Sequence, residues 1–216
     1  MSTSSAHADD APVPPSPPTP ADLQGILAFL REAERLKTVT RSGWTSAGQP
    51  ESVAEHTWRL CLLALVLGPS FPGVNLERLL RICIVHDLGE AIGGDIPAPV
   101  QAERARQASD AGGKAAQERA DLLQLLAPLP DALRSEITAL WDEYEEARTP
   151  EARVAKGLDK LETILQHTQG KNPPDFDYRF NLGYGRQYTT DDPLLAAMRA
   201  LLDDATERRA READVR

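Results

Sequence analysis

The stretch Arg81-Ile82-Cys83-Ile84-Val85-His86-Asp87-Leu88-Gly89-Glu90 decides how this chain is read. On a helix, Leu79, Ile82, Cys83 and His86 fall at i, i+3, i+4 and i+7, so they share one apolar stripe and His86 points into the interior. Asp87 is one step round, at the edge of that stripe. Glu90 stands at i+4 from His86 and shares its side if the helix continues through Gly89. A buried carboxylate beside an imidazole is costly unless it is hydrogen-bonded or paired with a cation. A divalent ion would satisfy both groups. For a single His-Asp pair, an ordinary structural hydrogen bond would do the same, so the choice rests on the rest of the chain.

Toward the N-terminus, Ser52-Val53-Ala54-Glu55 is a capping box that starts a helix at Ser52. His56 lies just inside it, and His56, Leu60, Leu63 and Leu67 run down one face. Almost every residue after Arg59 is apolar, which predicts a central, largely buried helix. Before it, Lys37 to Trp44 reads as a polar connection with a glycine break, carrying Arg41 and Trp44. Another helix is expected from Pro20-Ala21-Asp22 to about Leu36, through Leu23, Ile26, Leu27, Phe29 and Leu30. Residues 1–20 are rich in Pro, Ser and Ala and hold no Lys or Arg, so they read as a disordered tail with polyproline character, not a targeting signal.

Toward the C-terminus, Gly93-Gly94 should stop the His86 helix, and Asp95-Ile96-Pro97-Ala98-Pro99 should be extended, since a residue before proline disfavours the helical region. The polar segment Gln101 to Lys114, interrupted by Gly112-Gly113, reads as a mobile helix or flap leading into a firmer helix that ends near Leu126. Leu133, Ile137, Leu140, Trp141 and Tyr144 predict the next helix. Thr149-Pro150 caps the one after, whose core stripe is Val154, Leu158, Leu161 and Leu165. Asp159 and Glu162 flank that stripe, with Lys160 or Arg153 as the expected partner for Asp159. Residues 170–190 lack periodicity but hold Phe176, Tyr178, Phe180, Tyr184 and Tyr188, and form either a core cover or a substrate lid. Asp192-Pro193 opens a last helix. No segment alternates as a strand would, so the fold class is all-α, with seven or eight helices in one domain over residues 21–210.

The totals agree with that reading. The chain has 216 residues, 41% of them hydrophobic and 26% charged, enough for a core without covalent staples. A net charge of -9 argues against nucleic acid or an anionic membrane as the partner. No apolar run reaches membrane-spanning length. Cys61 and Cys83 have no zinc-ribbon spacing and read as buried thiols in a reducing, cytoplasmic compartment.

Outside the tail the histidines are His56, His86 and His167. His167 is expected to be exposed and has no assigned role. His56, His86, Asp87 and Asp159 form a set of two imidazoles and two carboxylates drawn from three helices. Such nitrogen and oxygen ligands suit Mn, Co, Zn or Fe. The order His56, then His86-Asp87, then Asp159 resembles the H…HD…D signature of the HD-domain metal phosphohydrolases. The flanking text LKTVTRSGW, PESVAEHTWRL, CIVHDLGEAIGGDIP and GLDKLETILQ resembles the 5'-deoxynucleotidase branch, with its YfbR-like proteins and eukaryotic HD-domain relatives. The likeness covers roughly residues 21–205.

That resemblance implies one divalent metal ion held by His56, His86, Asp87 and Asp159, and a (deoxy)nucleoside 5'-monophosphate as the small-molecule substrate. It implies proton transfer by Glu90, a catalytic and substrate role for Asp95, Arg41 on the 5'-phosphate, Trp44 near the substrate, and a homodimer. One departure bears on sugar selection: Ser42 follows Arg41 where YfbR-like proteins have tryptophan, and Trp44 comes later, as in the eukaryotic relatives. Arg41 and a metal inside an acidic chain would make a small positive pocket matched to a monophosphate. The alternatives are an HD-type hydrolase of a cyclic nucleotide, triphosphate or alarmone, which would be expected to need more cations at the pocket, and a non-catalytic helical module with a structural metal.

Overall fold

A computed structural model describes residues 17–97, 100 and 111–215. Among them are seven helices of ten residues or more: α1 Pro20–Ala33, α2 Val53–Leu67, α3 Leu76–Val85, α5 Ala111–Leu126, α6 Asp131–Glu146, α7 Pro150–Gln169 and α10 Pro193–Asp214. Three four-residue helices, α4 Glu90–Gly93, α8 Phe180–Gly183 and α9 Arg186–Thr189, fill the connections. The expected tail lies outside the described residues as far as position 16, as does the expected flap over 101–110 and the Ala98-Pro99 part of the extended loop.

The helix starts follow local chemistry. Thr19 and Ser52 each form a complete capping box, while Asn75, Thr149 and Asp192 accept a backbone N–H in the first turn. These caps fix where each stripe begins, and hence which side chains turn inward. Helix α7 is the axis of the molecule, packing against α2, α3, α6 and α10. Leu158, Leu161 and Ile164 of α7 meet Leu60 of α2 and Leu79, Ile82 and Cys83 of α3 in a core from which solvent is excluded.

Four expectations need correction. Thr40–Trp44 and Pro50–Ser52 pair as a small antiparallel ribbon, Thr40 opposite Ser52 and Trp44 opposite Pro50. Its strands are too short to show alternation, and its turn depends on Gly48 at φ +82°. The His86 helix does not run on to Glu90: α3 ends at Val85, His86 is its cap, and tight i→i+3 bonds carry the chain into α4. Gly112-Gly113 does not interrupt α5 but lies in its first turn. Helix α2 is buried on one face only, since Trp58, Leu62, Leu65 and Val66 are exposed. Gly94, at φ +75°, ends α4 as the double glycine implied. No helix among the described residues is long and apolar enough to cross a membrane.

Candidate active site

His56 reaches the centre from the first turn of α2, His86 from the end of α3, and Asp159 from the middle of α7. Asp87 follows His86 in the turn. His56 Nε2 lies 3.3 Å from Asp159 Oδ1 and 3.7 Å from Asp87 Oδ2, and His86 Nε2 lies 3.0 Å from Asp87 Oδ2. His56, His86 and Asp159 each offer a ligand atom within 4.8 Å of the others. All four residues predicted from the sequence as ligands are therefore brought together.

The outer nitrogens are occupied in a way that exposes the inner ones. His56 Nδ1 is held by Glu162 Oε2, and His86 Nδ1 by the carbonyl of Cys83 at 2.8 Å. A proton on each Nδ1 leaves both Nε2 lone pairs facing the carboxylates, the arrangement in which histidines bind metals. Both Nε2 atoms are buried and have no hydrogen-bond partner. Two buried, unpartnered imidazole nitrogens beside two carboxylates fit a divalent ion, and nitrogen with oxygen ligands suits a metal of borderline hardness.

The charges show the same demand. Burial and Arg41 oppose a proton on His56, but Glu162 and Asp159 prevail and raise it to about 9. Without a metal, a proton takes up the negative charge that a metal would otherwise balance. Burial works against ionised Asp159, yet Lys160 and His56 hold it well below the usual carboxylate range. Asp87 is likewise lowered against burial, by His86 and then Arg41. Tyr144 donates to Asp159 Oδ2 at 2.7 Å, and burial beside Asp159 keeps its phenol protonated.

The centre opens into a cavity of about 280 Å³ that His86, Asp87 and Asp159 line together with Arg41, Ser42, Glu90, Asp95 and Tyr144, and to which Lys114, Lys156, Lys160, Tyr184 and Tyr188 also contribute. That volume is close to the lower end of ligand pockets, ~300–1,000 Å³. Strand β1 (Thr40–Trp44) delivers Arg41, whose Nη1 donates to Asp87 Oδ2 at 3.1 Å and Nη2 to Thr163 Oγ1 at 3.2 Å. Burial pushes Glu90 up, helped by Asp87 and Asp95, to about 10, and its Oε2 is buried without a partner. Burial also raises Asp95. Trp44 is not among the lining residues; its carbonyl accepts from Gln166.

Several contributors were not singled out from the sequence. Lys160 Nζ donates to Asp159 at 2.8 Å, the salt-bridge partner foreseen, but it also enters the cavity with Lys156 and Lys114. These cations exceed the single arginine expected. Tyr144 occupies a core-stripe position of α6 and Thr163 lies off the stripe of α7, and only the folded arrangement turns their hydroxyls onto Asp159 and Arg41. His167, expected to be exposed, is buried: its Nδ1 meets Asn181 Oδ1 at 2.8 Å and its ring packs on Phe176. The aromatic segment 170–190 covers His167 with Phe176, and its Tyr184 and Tyr188 line the cavity.

The HD domain family matches residues 33–199. A zebrafish (Danio rerio) protein named 5'-deoxynucleotidase HDDC2 is 39% identical over 67% of this chain and 68% of its own length. A fission-yeast (Schizosaccharomyces pombe) 5'-deoxynucleotidase, hdd1, is 40% identical over 65% of this chain and 70% of its own. A solved structure from Magnetospirillum magnetotacticum, described as a predicted metal-dependent phosphohydrolase, superposes with a TM-score of 0.73 at 27% identity, covering 88% of this chain and 95% of that one. With the family spanning most of the chain and its histidine and aspartate positions converging on one centre, this protein belongs to the HD-domain family.

Proposed function

We propose that the chain is a metal-dependent phosphomonoesterase that hydrolyses deoxynucleoside 5'-monophosphates to nucleoside and phosphate. The observation that carries this reading is the pair of buried, unpartnered Nε2 atoms of His56 and His86, facing Asp87 and Asp159 with Arg41 against the same carboxylate. The relatives named 5'-deoxynucleotidases supply the substrate class.

His56, His86, Asp87 and Asp159 hold one divalent ion, Mn, Co, Zn or Fe. Such an ion, when bound, polarises phosphoryl oxygens and lowers the pKa of an adjacent water. Arg41 binds the phosphate: its guanidinium remains charged despite burial because Asp87, Asp159 and Asp95 surround it. Its planar fork matches two phosphoryl oxygens at once. Glu90 holds a proton at neutral pH and faces the cavity, so it gives that proton to the 5'-oxygen as the P–O bond breaks. Asp95, two residues after α4, lines the cavity and orients the substrate. The sugar meets Ser42, which lines the cavity, more directly than Trp44, which does not.

Lys114, Lys156 and Lys160 favour a second reading, a nucleotide with a longer phosphate chain. Against it, Lys156 is bound to Glu145 at 3.0 Å and Lys160 to Asp159 at 2.8 Å. The homodimer belongs to the same proposal, supported by the exposed stripe Trp58, Leu62, Leu65 and Val66 on α2. Cytoplasmic residence is supported by Cys61 and Cys83 being free thiols. Incubation of the metal-loaded chain with ribo- and deoxyribonucleoside mono- and triphosphates tests the substrate. Orthophosphate from deoxynucleoside monophosphates is expected; pyrophosphate or triphosphate release from triphosphates alone would replace this reading with the second.

A further inference from the structure

Glu162 is a carboxylate from which solvent is wholly excluded, and an unpaired one would be costly. It is not unpaired. Its Oε2 meets Nδ1 of His56 and its Oε1 accepts from Arg59 Nε at 2.6 Å. Arg59 lies one turn beyond His56 on α2, and Glu162 one turn beyond Asp159 on α7, so two adjacent helices each supply one inner and one outer member. Glu51 continues the line, 3.8 Å from Arg59 Nη2 and 3.9 Å from Arg41 Nε.

The two histidines are thus held differently. His86 leans on a neutral backbone carbonyl, whereas His56 leans on a charged carboxylate that is itself clamped by an arginine. A carbonyl and a carboxylate both fix the proton on Nδ1, but the carboxylate also makes the imidazole a stronger electron donor at Nε2. We propose that Glu162, clamped by Arg59, is a positioning residue for His56: it fixes the tautomer and strength of that ligand, and so sets the chain's affinity for its metal. The inference rests on the metal reading given above, and it goes beyond it by assigning residues outside the ligand set.

An interhelical ion pair with no influence on the metal would look alike in the folded chain, and variants separate the two. Glu162→Gln keeps the shape but removes the charge, and its amide can present N–H to Nδ1 and drive the imidazole proton to Nε2, where it blocks the ligand. Cobalt affinity of the full-length chain is measured by chelator competition, with circular dichroism to establish folding. Loss of an outer carboxylate is expected to weaken Co²⁺ binding by about 10–100-fold. Glu162→Asp should recover part of that loss, and Arg59→Gln should show a smaller one. Imidazole ¹⁵N spectra of the zinc-loaded chain should place the His56 proton on Nδ1 in the wild type and lose that signature in Glu162→Gln.

A folded Glu162→Gln with wild-type cobalt affinity overturns the proposal. If Glu162→Gln does not fold, Arg59→Gln decides, and unchanged affinity there overturns it equally. Wild-type chain that binds cobalt but hydrolyses no nucleotide would sink the proposed activity and leave this inference standing; wild-type chain that binds no cobalt would sink both.

Discussion

Helices α1 and α7 carry similar apolar stripes and meet opposite fates. In α7, fourteen of twenty residues are buried, among them Lys156, Asp159, Glu162, Gln166 and His167; in α1 none is, and Leu23, Leu27 and Leu30 are about half exposed. An apolar pattern says only that a face can be buried. What decides is whether neighbouring elements cover it, and α7 is surrounded while α1 is at the margin. The lesson for function lies in the charges. A helix that buries Asp159 and Glu162 needs compensating partners for both, and the partners found are His56 with Lys160 for Asp159 and His56 with Arg59 for Glu162.

Variants can break or sharpen that contrast. The largest effect is expected at Glu90, where Glu90→Gln should lower kcat by about 10²–10⁴-fold, measured by phosphate release, with metal affinity retained. The same variant has a pH signature. Unfolded Glu90 ionises near 4.5 but folded Glu90 keeps its proton to about 10, so the unfolded state binds fewer protons across that window and stability falls as pH rises through it. The melting temperature of metal-stripped Glu90→Gln, relative to wild type, should therefore increase from pH 5 to pH 9; a constant difference would show that Glu90 is not held protonated.

Next comes the core of α7: Leu161→Ala should cost about 2–5 kcal/mol in denaturant unfolding. Arg41→Lys replaces a fork by a point charge and should weaken phosphate binding by about 1.5–3 kcal/mol, read as a higher KM. The smallest change is expected on α1, where Leu27→Ala should alter stability by no more than about 0.5 kcal/mol. A loss there as large as at Leu161 would mean that α1 is covered in solution, and sedimentation would then show whether a second copy covers it.

Much of the site was legible because its signals are local. Ser52, Asn75 and Thr149 are caps visible in a few residues, and they fix the phase of the helices that carry His56, His86 and Asp159. What escaped depends on contacts across the chain. Glu162 and His56 are 106 residues apart, so nothing near either announces the pair. His167 was expected outside because its cover, Phe176 and Asn181, comes from a segment without periodicity. The Thr40–Trp44 ribbon is held by its partner strand and by Gly48, not by any alternation of its own. The helix break at His86 arises where the chain must turn Asp87 toward Arg41 while Glu90 faces the cavity.

The central claim is that His56, His86, Asp87 and Asp159 hold a metal that this chain uses on a 5'-phosphate. Its most direct test is phosphate release from deoxynucleoside 5'-monophosphates by chain stripped of metal and refilled with Mn, Co, Zn or Fe, with Asp87→Ala run in parallel. The account predicts turnover that requires the metal and vanishes in Asp87→Ala. Equal turnover by Asp87→Ala, or none by the refilled wild-type chain with its metal bound, would contradict it.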